Sequence, residues 1–234
     1  MGVDADGTLA ALRDIGYREV ELAGLYGGSA KTLRAMLDRH ELEAPSGHGP
    51  LDALRQELPR LLDEAATLGH RWLVCPWIDA RERTPDGYRA IADRFNEIGA
   101  RVAKAGLRFG YHNHAFEFEP LPDGTLPYDL LLSRCDASVV DMELDLFWMV
   151  KGGHDPLQYI DRHPGRFPMV HAKDMDASLA MVDVGKGQID FTAILARSRE
   201  AGIRHVFVEH DEPAVPLESA RVSFNAIQEI LRHE

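Results

Sequence analysis

The chain has 234 residues, 45% hydrophobic and 27% charged, with 26 Lys and Arg against 38 Asp and Glu for a formal net charge of −12. That length suits one globular domain, taken as residues 1–234, with a substantial core. The acidic balance argues against a nucleic-acid partner, which needs clustered Lys and Arg, and no apolar run is long enough for a membrane span. Cys75 and Cys135 are the only cysteines, and with no signal peptide they are expected as reduced thiols of a cytoplasmic protein.

Met1 to Gly7 is short and polar, and a helix is expected from near Thr8 through Leu9, Leu12 and Ile15 to Gly16. Glu19 to Ala23 alternates as a strand. Ser29 caps a helix that carries Leu33, Met36 and Leu37 on one face. Leu42 to Ser46 is a strand running into Gly47-His48-Gly49-Pro50, and Leu51 to Leu68 is helical with a break at Pro59. Arg71 to Pro76 is an apolar strand, followed by a helix with Thr84 as N-cap and Pro85 in its first turn. Ile91, Phe95, Ile98 and Val102 keep helical spacing up to Ala105-Gly106. The strand Leu107 to Gly110 then enters Tyr111-His112-Asn113-His114-Ala115-Phe116-Glu117-Phe118.

Pro120 to Pro127 is a loop and Tyr128 to Arg134 a short helix. Ser138 to Phe147 is a strand with Asp141, Glu143 and Asp145 on one face, and Lys151-Gly152-Gly153 a turn. A helix runs from Asp155-Pro156 to His163, and a strand from Phe167 to Asp174. Asp176 to Asp190 is a loop, Phe191 to Ala201 a helix, His205 to Asp211 the last strand and Pro216 to Leu231 the last helix. Trp72 and Trp77 are expected in the core. Strict alternation of strands and helices predicts an α/β fold of parallel strands with helical crossovers, a TIM-type (β/α) barrel. Seven strands and eight helices are predicted, with the first strand missing, because Met1 to Gly7 is too polar and glycine-rich for a buried strand. An open barrel exposes edges, and a second copy of the chain in a homo-oligomer is one way to cover them.

In a parallel barrel the chemistry lies at the carboxyl ends of the strands. Those ends are Glu21, His48, His112 and His114, Asp145, His171, and Glu209 with His210. His112 and His114 alternate onto one side of their strand. Asp145, His171 and Glu209 place a carboxylate, an imidazole and a carboxylate on successive strands. That donor set suits one divalent metal (Mn, Co, Zn, Fe or Mg) without selecting among them. The bland alternative is an Asp–His ion pair that holds the rim. Glu143 competes with Asp145, since both point the same way.

Six stretches together resemble the sugar phosphate isomerase/epimerase family of xylose-isomerase-like TIM barrels. They are Gly16-Tyr17-Arg18-Glu19-Val20-Glu21-Leu22, Tyr111 to Phe118, Glu143-Leu144-Asp145-Leu146-Phe147-Trp148, His171-Ala172-Lys173-Asp174, Gly185 to Phe191, and Val208-Glu209-His210-Asp211. The resemblance covers nearly the whole chain and implies a divalent metal at the strand ends, held by Asp145, His171 and Glu209. Many relatives have a fourth ligand, a Glu, where this chain has His112. Either His112 replaces it or Glu117 reaches back from the loop, and Glu117 keeps the site more anionic. This departure puts a two-glutamate proton transfer in doubt. It makes His114 and His112, with Glu209, the candidate acid–base groups, and Lys173 the candidate for polarising a carbonyl or enediolate oxygen. Glu21, His48 and Trp148 are the expected substrate-binding residues.

The resemblance thus implies a metal-dependent isomerase or epimerase that abstracts a proton next to the carbonyl of a small sugar or cyclitol, with metal stabilisation of the enediolate. Loss of a neighbouring oxygen from the same intermediate would instead make the protein a dehydratase or β-eliminating lyase on a keto-sugar or inosose. A metal phosphodiesterase of the AP-endonuclease type, which needs a basic face, and an inactive truncated barrel are the remaining alternatives. No phosphate-binding loop is visible, so a phosphorylated substrate is not expected.

Overall fold

A computed structural model describes residues 4–232, which form two compact units. The first runs to His112 and includes Glu119–Asp141; the second comprises Asn113–Phe118 and the chain from Met142 onward.

In the first unit Asp4 caps α1 (Ala5–Ile15), its side chain accepting the Gly7 N–H, so the helix begins three residues before Thr8. Of the segment judged too polar for a strand, Asp4 to Gly7 form this cap and first turn, and residues 1–3 lie outside the described residues. β1 (Glu19–Leu22) leads to α2 (Ala30–Arg39), capped by Ser29 as its sequence predicts. β2 (Glu43–His48) is followed by α3 (Leu51–Gln56) and α4 (Leu58–Leu68). The break in the long helical stretch therefore falls at Glu57. Pro59 sits in the first turn of α4, where its missing N–H forfeits no helical bond. β3 (Trp72–Cys75), α5 (Pro85–Lys104), β4 (Arg108–His112) and α6 (Pro127–Arg134) follow, with Thr84 capping α5.

β1, β2, β3 and β4 pair in that order, all parallel, with Leu22 opposite Gly47, His48 opposite Val74 and Cys75 opposite Tyr111. Leu9, Leu22, Leu33, Leu37, Leu42 and Leu68 form one buried cluster. α5 buries Ile91, Phe95, Ile98 and Val102, and Phe95 meets Phe109 and Tyr111 at ring-centre distances of 5.3 and 5.2 Å. Each such side chain withdrawn from water contributes roughly 1.5–3 kcal/mol. Gly99 is required here, since a Cβ would come within 2.4 Å of the Val139 carbonyl oxygen. Both cysteines are buried free thiols. Trp72 is core, as expected, but Trp77 is 48% exposed and lies under the Arg83 guanidinium at 4.6 Å. Its indole is covered by a cation rather than by the core.

β5 (Val140–Asp145), whose first two residues belong to the first unit and the rest to the second, passes into α7 (Leu146–Lys151) without a loop. Asp145 stops the strand, which was expected to reach Phe147, by capping the helix: its Oδ1 accepts the Trp148 N–H at 2.8 Å. α8 (Pro156–Arg162) is capped by Asp155. β6 (Met169–Ala172) is followed by a small antiparallel ribbon, β7 (Asp174–Met175) with β8 (Met181–Val182), the first at the end of the expected strand and the second inside the expected loop. Phe191 to Ala201 is two helices, α9 (Phe191–Leu195) and α10 (Ser198–Ala201), before β9 (His205–Val208) and α11 (Pro216–Leu231). β5, β6 and β9 are parallel neighbours, with Asp145 opposite His171 and Ala172 opposite Val208. The seven parallel strands agree with the alternation read from the sequence. The described residues hold eleven α-helices rather than eight, because two predicted helices divide and α7 was read as strand and turn.

The buried Asp174 carboxylate organises the segment after β7. Its Oδ1 accepts the N–H groups of Met175 and Ile189, and its Oδ2 those of Gly185 and Gly187. A Cβ at Gly187 would stand 2.3 Å from this carboxylate, so only glycine lets the chain approach.

Candidate metal centre

β5, β6 and β9 bring three of the expected residues together at their carboxyl ends. The parallel register sets Asp145 beside His171, and Glu209 follows β9, its N–H bonded to the Ala172 carbonyl. His171 Nδ1 lies 2.5 Å from Glu209 Oε2, and its Nε2 lies 3.4 Å from Glu143 Oε2. Asp145 and His171 each offer a donor atom within 4.8 Å of the other. Asp145 uses one oxygen for the helix cap and turns Oδ2 toward the Lys173 ammonium at 3.2 Å. The backbone of Asp145 is held by Asn113, whose amide nitrogen donates to the Asp145 carbonyl at 3.2 Å while its amide oxygen accepts the Asp145 N–H at 3.0 Å. The side chain thereby reproduces a strand pairing and fixes where the carboxylate starts.

Lys173 is 3% exposed and makes three ionic contacts: Asp145 Oδ2, Glu209 Oε2 at 2.9 Å and Asp211 Oδ1 at 3.0 Å. Burial lowers its pKa, but the three carboxylates outweigh burial and hold it above the usual lysine value. Burial pushes Asp145 up to about 6, against the pull of Lys173 and His171. Burial also acts to raise Glu209, yet His171 and Lys173 hold it well below the usual carboxylate range. Glu209 is thus an ionised donor, and the anionic partners keep Lys173 charged.

His114 stands between two aromatic rings, stacked on Phe116 at 5.5 Å and tilted toward Trp148 at 5.6 Å. The Lys173 ammonium is 5.7 Å from the Trp148 ring centre. Glu117 is buried, and its Oε2 accepts the His114 N–H at 2.7 Å, closing the short helical turn Ala115–Phe118. It is not a solvated loop residue.

The first unit gathers the other expected residues. His48 Nε2 lies 2.9 Å from Glu21 Oε2, Ser46 donates to the other oxygen of Glu21, and the His48 and His112 rings are 6.2 Å apart. His112 is buried.

Sequence reasoning missed three participants. Asn113 was passed over between two histidines, although a polar amide at the end of an apolar strand is itself a signal. Glu143 was weighed only as a rival of Asp145, whereas it flanks the second nitrogen of His171. Asp211 was quoted within a motif and given no role, and nothing short of the fold shows that it reaches Lys173.

The donor chemistry fits a divalent cation: ionised or ionisable carboxylates beside an imidazole, with a second carboxylate available to orient that ring. Acid, imidazole and ammonium groups stand at the carboxyl ends of parallel strands, the end at which barrel enzymes carry their chemistry. The family described as xylose isomerase-like TIM barrel matches residues 9–228, and the chain belongs to it; its homologues include enzymes named as isomerases, epimerases and dehydratases. A sugar phosphate isomerase/epimerase from Parabacteroides distasonis superposes with a TM-score of 0.84 at 26% identity, covering 96% of this chain and 88% of that one. An inosose dehydratase of Geobacillus kaustophilus is 24% identical over 216 residues, 81% of this chain and 68% of the relative. The IOLI protein, solved with a zinc atom, shares the fold with a TM-score of 0.76 at 16% identity, covering 100% of this chain and 94% of that one.

Proposed function

We propose that the protein is a divalent-metal-dependent isomerase or epimerase acting on a sugar or cyclitol by moving a proton next to a carbonyl group. The observation that carries the proposal is the chain of contacts that runs from His171 to Glu209, from Glu209 to Lys173 and from Lys173 to Asp145, at 2.5, 2.9 and 3.2 Å. Asp145, His171 and Glu209 would hold the ion, with Glu143, 3.4 Å from His171 Nε2, placed to orient the ring. Glu117 remains the proposed fourth ligand.

When bound, the ion supplies Lewis-acid polarisation of a carbonyl oxygen. Lys173, fixed and charged, adds positive potential where negative charge grows on that oxygen. His114 is the proposed acid–base group, its imidazole able to take a proton from carbon and return it. Phe116 and Trp148, flanking His114, present apolar faces to the C–H side of a ring, and His48 and Glu21 are proposed to bind hydroxyl groups. A zinc atom in a protein of the same fold supports the metal.

A second outcome of the same first step, loss of an oxygen at the next carbon, is favoured by a specific finding: the relative covering 81% of the chain is named an inosose dehydratase. The experiment is incubation of the metal-loaded protein with a panel of ketoses, aldoses and inososes in D2O, followed by NMR. Deuterium entering next to the carbonyl supports proton abstraction; epimeric product then marks the isomerase, and an unsaturated or deoxy product the dehydratase. No exchange and no product with any member of the panel, from protein shown to hold metal, would reject the reading.

A further inference from the structure

We infer that Asp211 is a positioning residue for the metal centre: it gives the Lys173 ammonium a carboxylate of its own, so that Asp145 and Glu209 keep oxygens for a divalent cation. This extends the metal-centre reading above and rests on it. An ammonium has three N–H donors, and Lys173 directs its contacts to three carboxylates, at 3.2 Å to Asp145, 2.9 Å to Glu209 and 3.0 Å to Asp211. Two of those three are proposed metal ligands. The ammonium is buried, so water does not replace a lost partner. Trp148 flanks it with an aromatic ring, which is no substitute for an anion.

Asp211 is suited to the task because its place is set from outside the ligand group. It follows Glu209 by two residues, and its backbone N–H points to Met181 Sδ at 3.2 Å, which ties the turn after β9 to the β7–β8 ribbon. Its carboxylate is partly exposed, at 39%, and in the described residues it meets the site through Lys173. Were this carboxylate neutral, the ammonium would lean on Asp145 and Glu209 alone. The cation and the metal would then compete for the same two oxygens.

The test is a double-mutant cycle read by Mn2+ binding, using calorimetric titration and the electron paramagnetic resonance signal of free Mn2+. The proteins are the full chain, Asp211→Asn, Lys173→Met and the double variant, each checked for folding by calorimetric unfolding. Asp211→Asn should weaken Mn2+ binding about tenfold, and the same substitution should change affinity less than about twofold where Lys173 is already Met. Asp211→Glu should recover most of the lost affinity. Equal weakening in both backgrounds would mean a general loss of negative charge and overturn the inference, as would unchanged affinity of Asp211→Asn. A parent chain that binds no Mn2+ would overturn the metal-centre reading together with this one, whereas a metal-binding parent with an indifferent Asp211→Asn overturns this one alone. If Lys173→Met does not fold, Lys173→Gln takes its place in the cycle.

Discussion

Trp72 gives its indole N–H to Asp141 Oδ2 at 2.8 Å, across 69 residues of sequence. Arg108 grips the same carboxylate with two N–H groups, at 2.6 and 2.7 Å, so one buried acid joins the starts of β3 and β4 to the start of β5. Asp141→Ala should destabilise the protein by about 2 kcal/mol, since it takes this acceptor from a buried indole N–H and leaves the Arg108 guanidinium to water. Asp141→Asn should cost less, as it keeps an acceptor oxygen. Urea unfolding of the three proteins reads this directly. Equal stability of Asp141→Ala and the parent would show that the triad contributes nothing.

His70 is buried under Gly47 and its Nδ1 lies 2.6 Å from the Ala44 carbonyl oxygen. Burial lowers its pKa below the ordinary 6.5. The unfolded chain therefore binds a proton that the folded chain refuses, and stability falls as pH drops from 6.5 toward the folded value. Above 6.5 both states hold neutral imidazole and the contribution is flat. His70→Gln should reduce the loss of denaturation midpoint between pH 7.5 and pH 5.5, conditions chosen to bracket that range by roughly one pH unit. An identical pH slope in parent and variant would rule His70 out as the source.

Metal content should follow the ligand group. Purified parent protein, reconstituted and desalted, should carry about one divalent ion per chain. Asp145→Asn and His171→Ala should carry far less while keeping their circular dichroism, because Asn still caps α7 and the His171 site is lined by packed neighbours. Elemental analysis decides it, and retention of the ion by both variants would remove Asp145 and His171 from the ligand group.

Asp174→Ala should loosen the segment that follows β7. Four backbone N–H groups lose their shared acceptor, at a cost of about 2–4 kcal/mol to the closed form of that segment. Lys186 is exposed within it and offers trypsin a cleavage point. Limited tryptic digestion followed by mass spectrometry should show faster cutting after Lys186 in the variant. Unchanged cutting would mean that the ribbon holds the segment without the carboxylate.

The strand–helix alternation was legible because apolar periodicity and end signals agree along most of the chain: Ser29 and Thr84 with Pro85 cap where they were expected, and Asp155-Pro156 opens its helix. The errors have local causes. Leu146 and Phe147 are as apolar as the strand before them, so periodicity could not see that the Asp145 carboxylate turns the chain into a helix there. Pro59 looked like a break, but a proline is comfortable in a first turn, and the discontinuity lies two residues earlier. At the site, residue types were legible and pairings were not. Asp145, His171 and Glu209 announce themselves as strand-end donors. The carboxylate that faces each nitrogen of His171, and the anchoring of Lys173 by Asp211, depend on register between strands that are distant in sequence.

The donors around His171 are unequally covered: the side chains of Glu143 and Asp145 are 0% exposed, that of Glu209 41%. An ion seated among them would keep its hold on the deep side while the outer arm lets go. The swing of Glu209 would then open the ion to solvent without releasing it. A substrate oxygen arriving from solvent would meet the ion on the flank where that arm can yield its place.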